Sequence, residues 1–275
     1  MILHWDVDSV IYAAGFASEK VEKKEDGLIE VRPEPLANCL QIVKTILGNA
    51  TKTLEHDEVC YYLSGKTNFR NDIVDDYKAN RTGTRKPYWY QEMRDYVEKY
   101  YNAVITTEGL EADDLISIMQ AKDPANTTSI TIDKDFNTFE GWKYNWQKKE
   151  LFWVSKEEAL KFFYKQILMG DKVDNIQGLP FCSSETIEKY ALHHSAKKGC
   201  REKSAALILE GCETEQALYA ACLDAYTSYG DTLDPEVEYV AADSLRTQGQ
   251  LLHMVRELDE EGKPVMWQPP VHEEA

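Results

Sequence analysis

The sequence predicts an α/β protein: a largely parallel, twisted sheet flanked by helices, followed by a helical region. Three observations lead there. Short apolar, β-rich runs alternate with runs of helical period through the first part of the chain. Acids recur at the carboxyl ends of those strand runs, where open α/β sheets bind ligands. After Asp171 the strand signals vanish and helical runs dominate. The architecture is therefore expected to change near residues 155–170, giving an α/β domain at 1–165 and a helical region with an extended tail at 166–275.

The elements follow in order. "MILHWD" is an apolar run ending in Asp6, the pattern of a buried first strand. "EPLANCLQIVKTILGNAT" puts Leu36, Leu40, Val43, Ile46 and Leu47 at helical spacing, with Gly48 and Asn49 as the expected stop. "EVCYYLSG" is a β-rich run closed by Gly65. "YWYQEMRDYVEKYY" is an amphipathic helix, "AVITT" a strand, "DDLISIMQAKD" a helix and "SITIDKD" a strand. "WKYNW" and "LFWV" read as a hairpin or strand pair, and "KEEALKFFYKQILMG" as a helix ended by Gly170. "SSETIEKYAL", "EKSAALILEG" and "TEQALYAACLDAYTSY" are helical, and the Pro-rich tail is a packed extended segment with a loose end.

Composition narrows the function classes. The 275 residues are 43% hydrophobic with 16 Tyr and 6 Trp, ordinary for a globular chain. No apolar run reaches the roughly 18–20 residues of a membrane span, and the N-terminus carries acids where a signal peptide carries basic residues. A soluble, cytoplasmic protein is expected. Cys39, Cys60, Cys182, Cys200, Cys212 and Cys222 have no metal-ligand spacing and read as reduced thiols. The adjacent His193 and His194 suit a surface or capping role. The net charge of −17 does not attract polyanions, so contact with nucleic acid must come from local basic patches. Two exist: Lys78, Arg81, Arg85 and Lys86 within Tyr77–Gln91, which holds no acid, and Lys197, Lys198, Arg201 and Lys203. Residues 204–245 contain acids but no Lys or Arg.

The acids are the strongest chemical signal. Asp6 and Asp8 follow the first strand, and Glu111, Asp113 and Asp114 open the helix after "AVITT". Asp133 and Asp135 follow "SITI", and Asp171 and Asp174 lie where one helix is expected to close and another to begin. Any one group is what helix starts and loops routinely carry. Several converging on one sheet edge would stay ionised only at a steep cost without counter-charge. Carboxylates without His or Cys suit Mg²⁺ or Mn²⁺. Two such ions can activate water and stabilise the leaving oxygen of a phosphodiester. "DVDSV" also fits the D-x-D of haloacid-dehalogenase-type phosphatases, but that scheme leaves Glu111–Asp114 and the Asp133/Asp135 pair without a task.

With these residues in place, the chain resembles the 5′-3′ exonuclease and flap endonuclease family, of PIN-like fold, and most of all its short stand-alone phage members. "DVDSVIYAAGF", "DDYKANR", "EGLEADDLI", "TIDKDF" and "MGDKVDNIQGLP" match the family's motifs in order. The resemblance implies Asp6, Glu111, Asp113, Asp114, Asp133, Asp135, Asp171 and Asp174 as metal-site acids. It places Lys78 and Arg81 on a helix over the scissile phosphate. Residues 82–90 would form the arch that passes single-stranded 5′ ends, with Tyr88, Trp89 and Tyr90 as stacking surfaces. Asp6, Asp113, Asp133, Lys78 and Arg81 would carry catalysis, and Arg85, Lys86, Lys197 and Lys198 would join Lys78 and Arg81 in holding DNA.

Two departures stand out. The family usually has an acid at the end of the strand before Tyr-Lys-x-Asn-Arg; here Ser64 and Gly65 stand there, with Asp8 as a partial substitute. After "GLP" the family has a Gly-Ile-Gly helix–hairpin loop that grips duplex, often with K⁺. "FCSSET" lacks the glycines that allow close backbone approach, which counts against the K⁺ site. The hydroxyls of Ser183, Ser184 and Thr186, with the nearby Lys197, Lys198 and Arg201, would replace it in a helix–hairpin–helix-like region. The expectation is a monomeric, Mg²⁺- or Mn²⁺-dependent nuclease with two ions, acting on duplex or flap DNA from 5′ ends. The alternatives are a PIN-type ribonuclease acting on RNA or RNA–DNA hybrid, and a catalytically weakened DNA-binding protein.

Overall fold

The computed structural model describes residues 1–24 and 27–270, so the expected loose end at 271–275 lies outside the described residues. A six-stranded sheet of order β5-β4-β1-β6-β7-β8 forms the centre. Its strands are β1 (Ile2–Asp6), β4 (Glu58–Leu63), β5 (Val104–Ile105), β6 (Thr127–Thr131), β7 (Gly141–Asn145) and β8 (Glu150–Val154). The first five run parallel, and β8 returns antiparallel to β7. β1 lies between β4 and β6 with Trp5 opposite Tyr61 and Ile130, and both Trp5 and Ile130 are fully buried. A central strand covered on both faces must be apolar along its length, which is why "ILHW" was legible.

Helices α1 (Asp8–Ala17), α2 (Leu36–Thr53), α3 (Tyr90–Tyr101) and α4 (Ala112–Lys122) flank the sheet. Val10, Ile11 and Ala14 of α1, Val43 and Leu47 of α2, and Met93 and Val97 of α3 meet Leu3 and Trp5 in one core. Burying each such side chain contributes roughly 1.5–3 kcal/mol. α2 runs five residues past the stop expected at Gly48. Its packed face continues to Ala50, and a glycine inside a helix costs only about 0.5–1 kcal/mol. A hairpin of β2 (Glu19–Lys23) and β3 (Ile29–Pro33) stands apart from the main sheet. The sequence did not announce it, because its largely exposed residues have no buried face to impose alternation.

The C-terminal part is helical: α5 (Lys156–Met169), α6 (Ser184–Lys189), α7 (Glu202–Ile208), α8 (Glu215–Gly230) and α9 (Ala241–Leu252). α5 opens with a Ser155/Glu158 capping box. Its buried face, Phe163, Tyr164 and Ile167, packs with Tyr226, Leu245 and Trp267 in a second core. The proposed division at residues 165/166 therefore falls inside α5. The chain then returns to the sheet, where Met254 packs against Ile116 and Phe136, and Val255 against Leu110 and Ile118. Among the described residues no helix is long and apolar enough to cross a membrane.

Candidate active site

Because β1, β4, β5 and β6 are parallel, their carboxyl ends meet on one edge. A pocket of ≈ 340 Å³ opens there. Eight acids line it: Asp6, Asp8, Glu111, Asp113, Asp114, Asp133, Asp135 and Asp174. Four cations face them: Arg70, Lys78, Arg81 and Arg94. With every group ionised, the lining carries four more negative than positive charges.

The cluster that opens α4 divides into three roles. Glu111 and Asp114 form a capping box, Asp114 accepting the Glu111 amide at 3.1 Å. Asp114 is fully buried and holds Arg70 through two 2.8 Å bonds, and it also accepts the Val255 amide at 3.1 Å. This differs from the expectation that Asp114 holds metal: its oxygens already fix α4 to Arg70 and to the returning C-terminal segment. Glu111 is ion-paired with Lys78 and accepts from the Tyr77 hydroxyl at 3.0 Å. Burial opposes ionisation there, yet Lys78 and Arg70 hold the Glu111 carboxyl down at about 2. Asp113 has neither kind of partner. Burial first, then Asp6 and Asp133, push its carboxyl well up.

The other strand ends add to the crowding. Asp6 is pushed up to about 8 by burial and by Asp8 and Asp133, although its oxygen accepts the Asp8 amide at 3.0 Å. Asp133 accepts the Asp135 amide at 2.9 Å and is also raised, burial being the main cause. Asp135, bonded by Gln166 at 2.6 Å, rises to about 7 through burial and Asp133. Four carboxyls are thus raised together, by burial first and then by one another's charge.

The segment after α5 is not the start of a helix. Asp171 and Ile176 exchange backbone hydrogen bonds across a tight loop, and Gly170 and Gly178 have φ of 66° and 67°. Inside the loop Asp171 is 4% exposed, accepts the Val173 amide at 2.7 Å and meets Lys134 at 3.0 Å. Asp171, expected as a metal-site acid, thus supports the loop and meets Lys134, outside the lining of the pocket. Asp174 reaches the pocket and is ion-paired with Arg81 and with Lys78 at 3.5 Å. Lys78 itself has a left-handed backbone, φ 56°, ahead of a single 3-10 turn at Ala79–Arg81. The helix expected to carry Lys78 and Arg81 is this one turn, anchored by the Lys78 amide on the Asp174 carbonyl at 2.9 Å.

At the end of β4 the absent acid has a structural answer. Asp8 accepts the Ser64 amide at 2.7 Å and Arg94 at 2.6 Å, and Arg94 also donates to the Ser64 carbonyl at 2.7 Å. The Ser64 hydroxyl accepts the Ala112 amide at 3.1 Å, so one residue ties α1, α3 and α4 together. Arg70, Tyr77 and Arg94 were not foreseen as pocket residues. Tyr77 stood in a quoted motif, but Arg94 on α3 is indistinguishable from a solvated helix face until Asp8 is placed opposite it.

The DNA-facing expectations meet mixed surroundings. Arg85 pairs with the buried carboxylate of Glu19 at 2.5 Å and lies over the Phe16 ring. Lys86 lies 4.4 Å from the Tyr90 ring centroid, at the pocket wall. Lys197 and Lys198 are exposed on the 3-10 turn His194–Lys198 and do not line the pocket. His193 caps that turn, its ring accepting the Ser195 amide at 3.2 Å. Ser183 and Thr186 are buried, and the Ser183 hydroxyl caps α6 and bonds Ser228 at 2.6 Å. Their hydroxyls are therefore used inside the protein, leaving Ser184 as the exposed member of that set. All six cysteines are free thiols.

The donor set fits a divalent cation: oxygen ligands only, partly buried, and short of positive charge. Among the described residues no three such side chains close on a single point. The local ion pairs give the reason, since Lys78, Arg81, Lys134 and Arg70 each draw a carboxylate toward themselves.

The chain is 31% identical over 127 residues to the "Exodeoxyribonuclease" of Enterobacteria phage T3, covering 43% of this chain and 41% of that protein. It is 30% identical over 126 residues to the "Exonuclease" of Escherichia phage T7, covering 42% and 41%. It thus spans about two fifths of the length of these relatives. Among solved structures, the T5 D15 protein co-crystallised with metal ions aligns over 92% of this chain and 86% of that one. Its TM-score is 0.51 at 17% identity, a likeness of fold. The family model "5'-3' exonuclease, N-terminal resolvase-like domain" matches residues 2–157, the stretch that supplies every strand of the sheet and all the pocket acids but Asp174, and to that family the chain belongs.

Proposed function

We propose that the chain is a Mg²⁺- or Mn²⁺-dependent nuclease that hydrolyses phosphodiester bonds of DNA from 5′ ends, in duplex or flap form. One observation carries the reading: eight acids against four cations in a single pocket. The excess of four negative charges is what two divalent ions would balance. Asp6, Asp113, Asp133 and Asp135 would hold them, with Glu111 and Asp174 completing the set. The ions would supply a nucleophilic water at neutral pH and stabilise the leaving oxygen. The name of the T3 relative supports DNA as substrate, and the family description supports the 5′-3′ direction.

The chain's own residues have definable tasks. Lys78 and Arg81 stand at the pocket with their charges on Glu111 and Asp174. With Glu111 and Asp174 holding a cation, Lys78 and Arg81 would be free to hold the scissile phosphate, where charge develops in the transition state. Tyr77, donating to Glu111 at 3.0 Å and to Asp174 at 3.2 Å, keeps the two acids together. Arg70 fixes the start of α4 from below through Asp114. The deciding assay is cleavage of 5′- and 3′-labelled duplex, flap and RNA–DNA substrates in Mg²⁺, Mn²⁺ or EDTA. DNA shortened from the 5′ end only with metal is expected; metal-independent cleavage, or cleavage of RNA alone, would overturn the reading.

A further inference from the structure

Asp133 closes one side of the acidic pocket and, on its other side, walls a groove of ≈ 380 Å³ at the carboxyl ends of β6 and β7. Asn137, Asn145, Gln147, Lys148 and Phe152 line that groove. A further groove of ≈ 550 Å³ shares Tyr144 and Gln147 with it and continues past Trp146 to Lys149, Lys52 and Asn49 on α2. The three depressions are therefore neighbours, each sharing lining residues with the next, in a row from the pocket past the β7–β8 turn to the side of α2.

Their chemistry is unlike the rest of the surface. In a chain of net charge −17, the acids lining the two grooves are Asp133 and Glu150 alone. Lys52, Lys148 and Lys149 are exposed and form no ion pair among the described residues. Asn145 accepts the amides of Gln147 and Lys148 at 3.1 and 2.9 Å, which fixes the turn that carries both lysines. The Phe152 ring is 38% exposed beside them.

We propose that these grooves form a track for one polynucleotide strand leaving the acidic pocket. The proposal rests on the nuclease reading above and adds where a strand goes beyond the reacting phosphate. Lysines spaced along a groove meet successive phosphates, amide groups meet sugars and base edges, and an exposed ring stacks on a base of any identity. The grooves adjoin the pocket, and stacking on the exposed Phe152 ring needs an unpaired base, which selects a single strand.

The test uses Lys148→Glu/Lys149→Glu and, separately, Phe152→Ala, all outside the catalytic pocket. Binding is measured in EDTA to duplexes carrying 5′ or 3′ single-stranded tails of increasing length, up to about a dozen nucleotides. Wild-type protein should bind more tightly as one of the two tail types lengthens. The double reversal should flatten that gain and lower the salt slope on tailed DNA by about 1.4, two single-strand phosphate contacts at roughly 0.7 each. Phe152→Ala should lower the gain about tenfold. Tailless duplex should bind both variants as it binds wild type, which also verifies folding. Parallel curves for wild type and both variants, in both tail series, would overturn the track. Cleavage of tailless duplex in Mg²⁺ is measured alongside. Cleavage with parallel curves removes the track alone, whereas tail-dependent binding without any cleavage removes the nuclease reading instead.

Discussion

The Asp113 carboxylate accepts no hydrogen bond among the described residues, while one position later the Asp114 carboxylate accepts four. Opposite effects of the same substitution follow. Asp113→Asn should raise metal-free stability at pH 8, because it removes a buried carboxylate whose charge is disfavoured by burial and by Asp6 and Asp133. It should also abolish metal-dependent cleavage. Asp114→Asn leaves the buried Arg70 guanidinium with only the longer 3.5 Å contact to Glu111, and should lower stability by about 3 kcal/mol. Urea unfolding of both variants in EDTA decides; equal effects would mean that the two acids are not distinct. A second expectation follows from Asp6 and Asp135, raised from 3.8 to about 8 and about 7. Between pH 4 and pH 8 the folded state holds protons on these groups that the unfolded chain has released, so metal-free stability falls across that window as pH rises. A cation must displace those protons. The rise in Tm on adding Mg²⁺ should therefore be larger at pH 8 than at pH 6, and a rise independent of pH would count against these acids as ligands.

At the scale of elements, the loop between α5 and α6 shows how backbone constraint places chemistry. A Cβ on Gly178 would lie 2.2 Å from the Gly170 nitrogen, and φ there is +67°. Gly178→Ala should therefore cost well over 1 kcal/mol and displace Asp171 and Asp174, lowering both stability and turnover. Gly48, inside α2 with nothing within 4 Å of a built Cβ, is the control. Gly48→Ala should stabilise by about 0.5–1 kcal/mol and leave cleavage unchanged; the same loss in both variants would show that the loop geometry is not the cause. These two glycines also mark what could be read beforehand. Strand ends with acids were legible because a parallel sheet puts apolar runs inside and its ligand edge at their carboxyl ends, so Asp6, Asp113 and Asp133 could be brought together from sequence. The division of labour within Glu111–Asp114 was not legible. It depends on Arg70, Lys78 and Val255, which lie 33 to 141 residues away from their partners. The β2–β3 hairpin and the left-handed Lys78 were missed because exposed charged strands and single-turn geometry leave no periodic trace.

For the molecule as a whole, an excess of acid has to coexist with the proposed binding of a polyanion. Residues 204–245 carry acids and no Lys or Arg, and the exposed Lys197 and Lys198 stand apart from the pocket cations. Binding to tailless duplex should therefore engage few phosphates, with log affinity falling against log salt at a slope on the order of −3 to −5. The two basic patches should separate by substrate. Lys197→Glu/Lys198→Glu removes cations with no ion pair among the described residues, and should weaken duplex binding most. Arg85→Glu/Lys86→Glu acts at the entrance to α3, where Arg85 neutralises the buried Glu19, and should weaken 5′ single strands most while also destabilising that corner. Lys86→Glu alone, which leaves the Arg85–Glu19 pair intact, separates the binding effect from the stability effect. Neutralising acids within 204–245 should change affinity only as net charge requires. A slope near −10, or equal losses on every substrate from both reversals, would mean a footprint that crosses the acidic face, and the two patches would then not be separate binding surfaces.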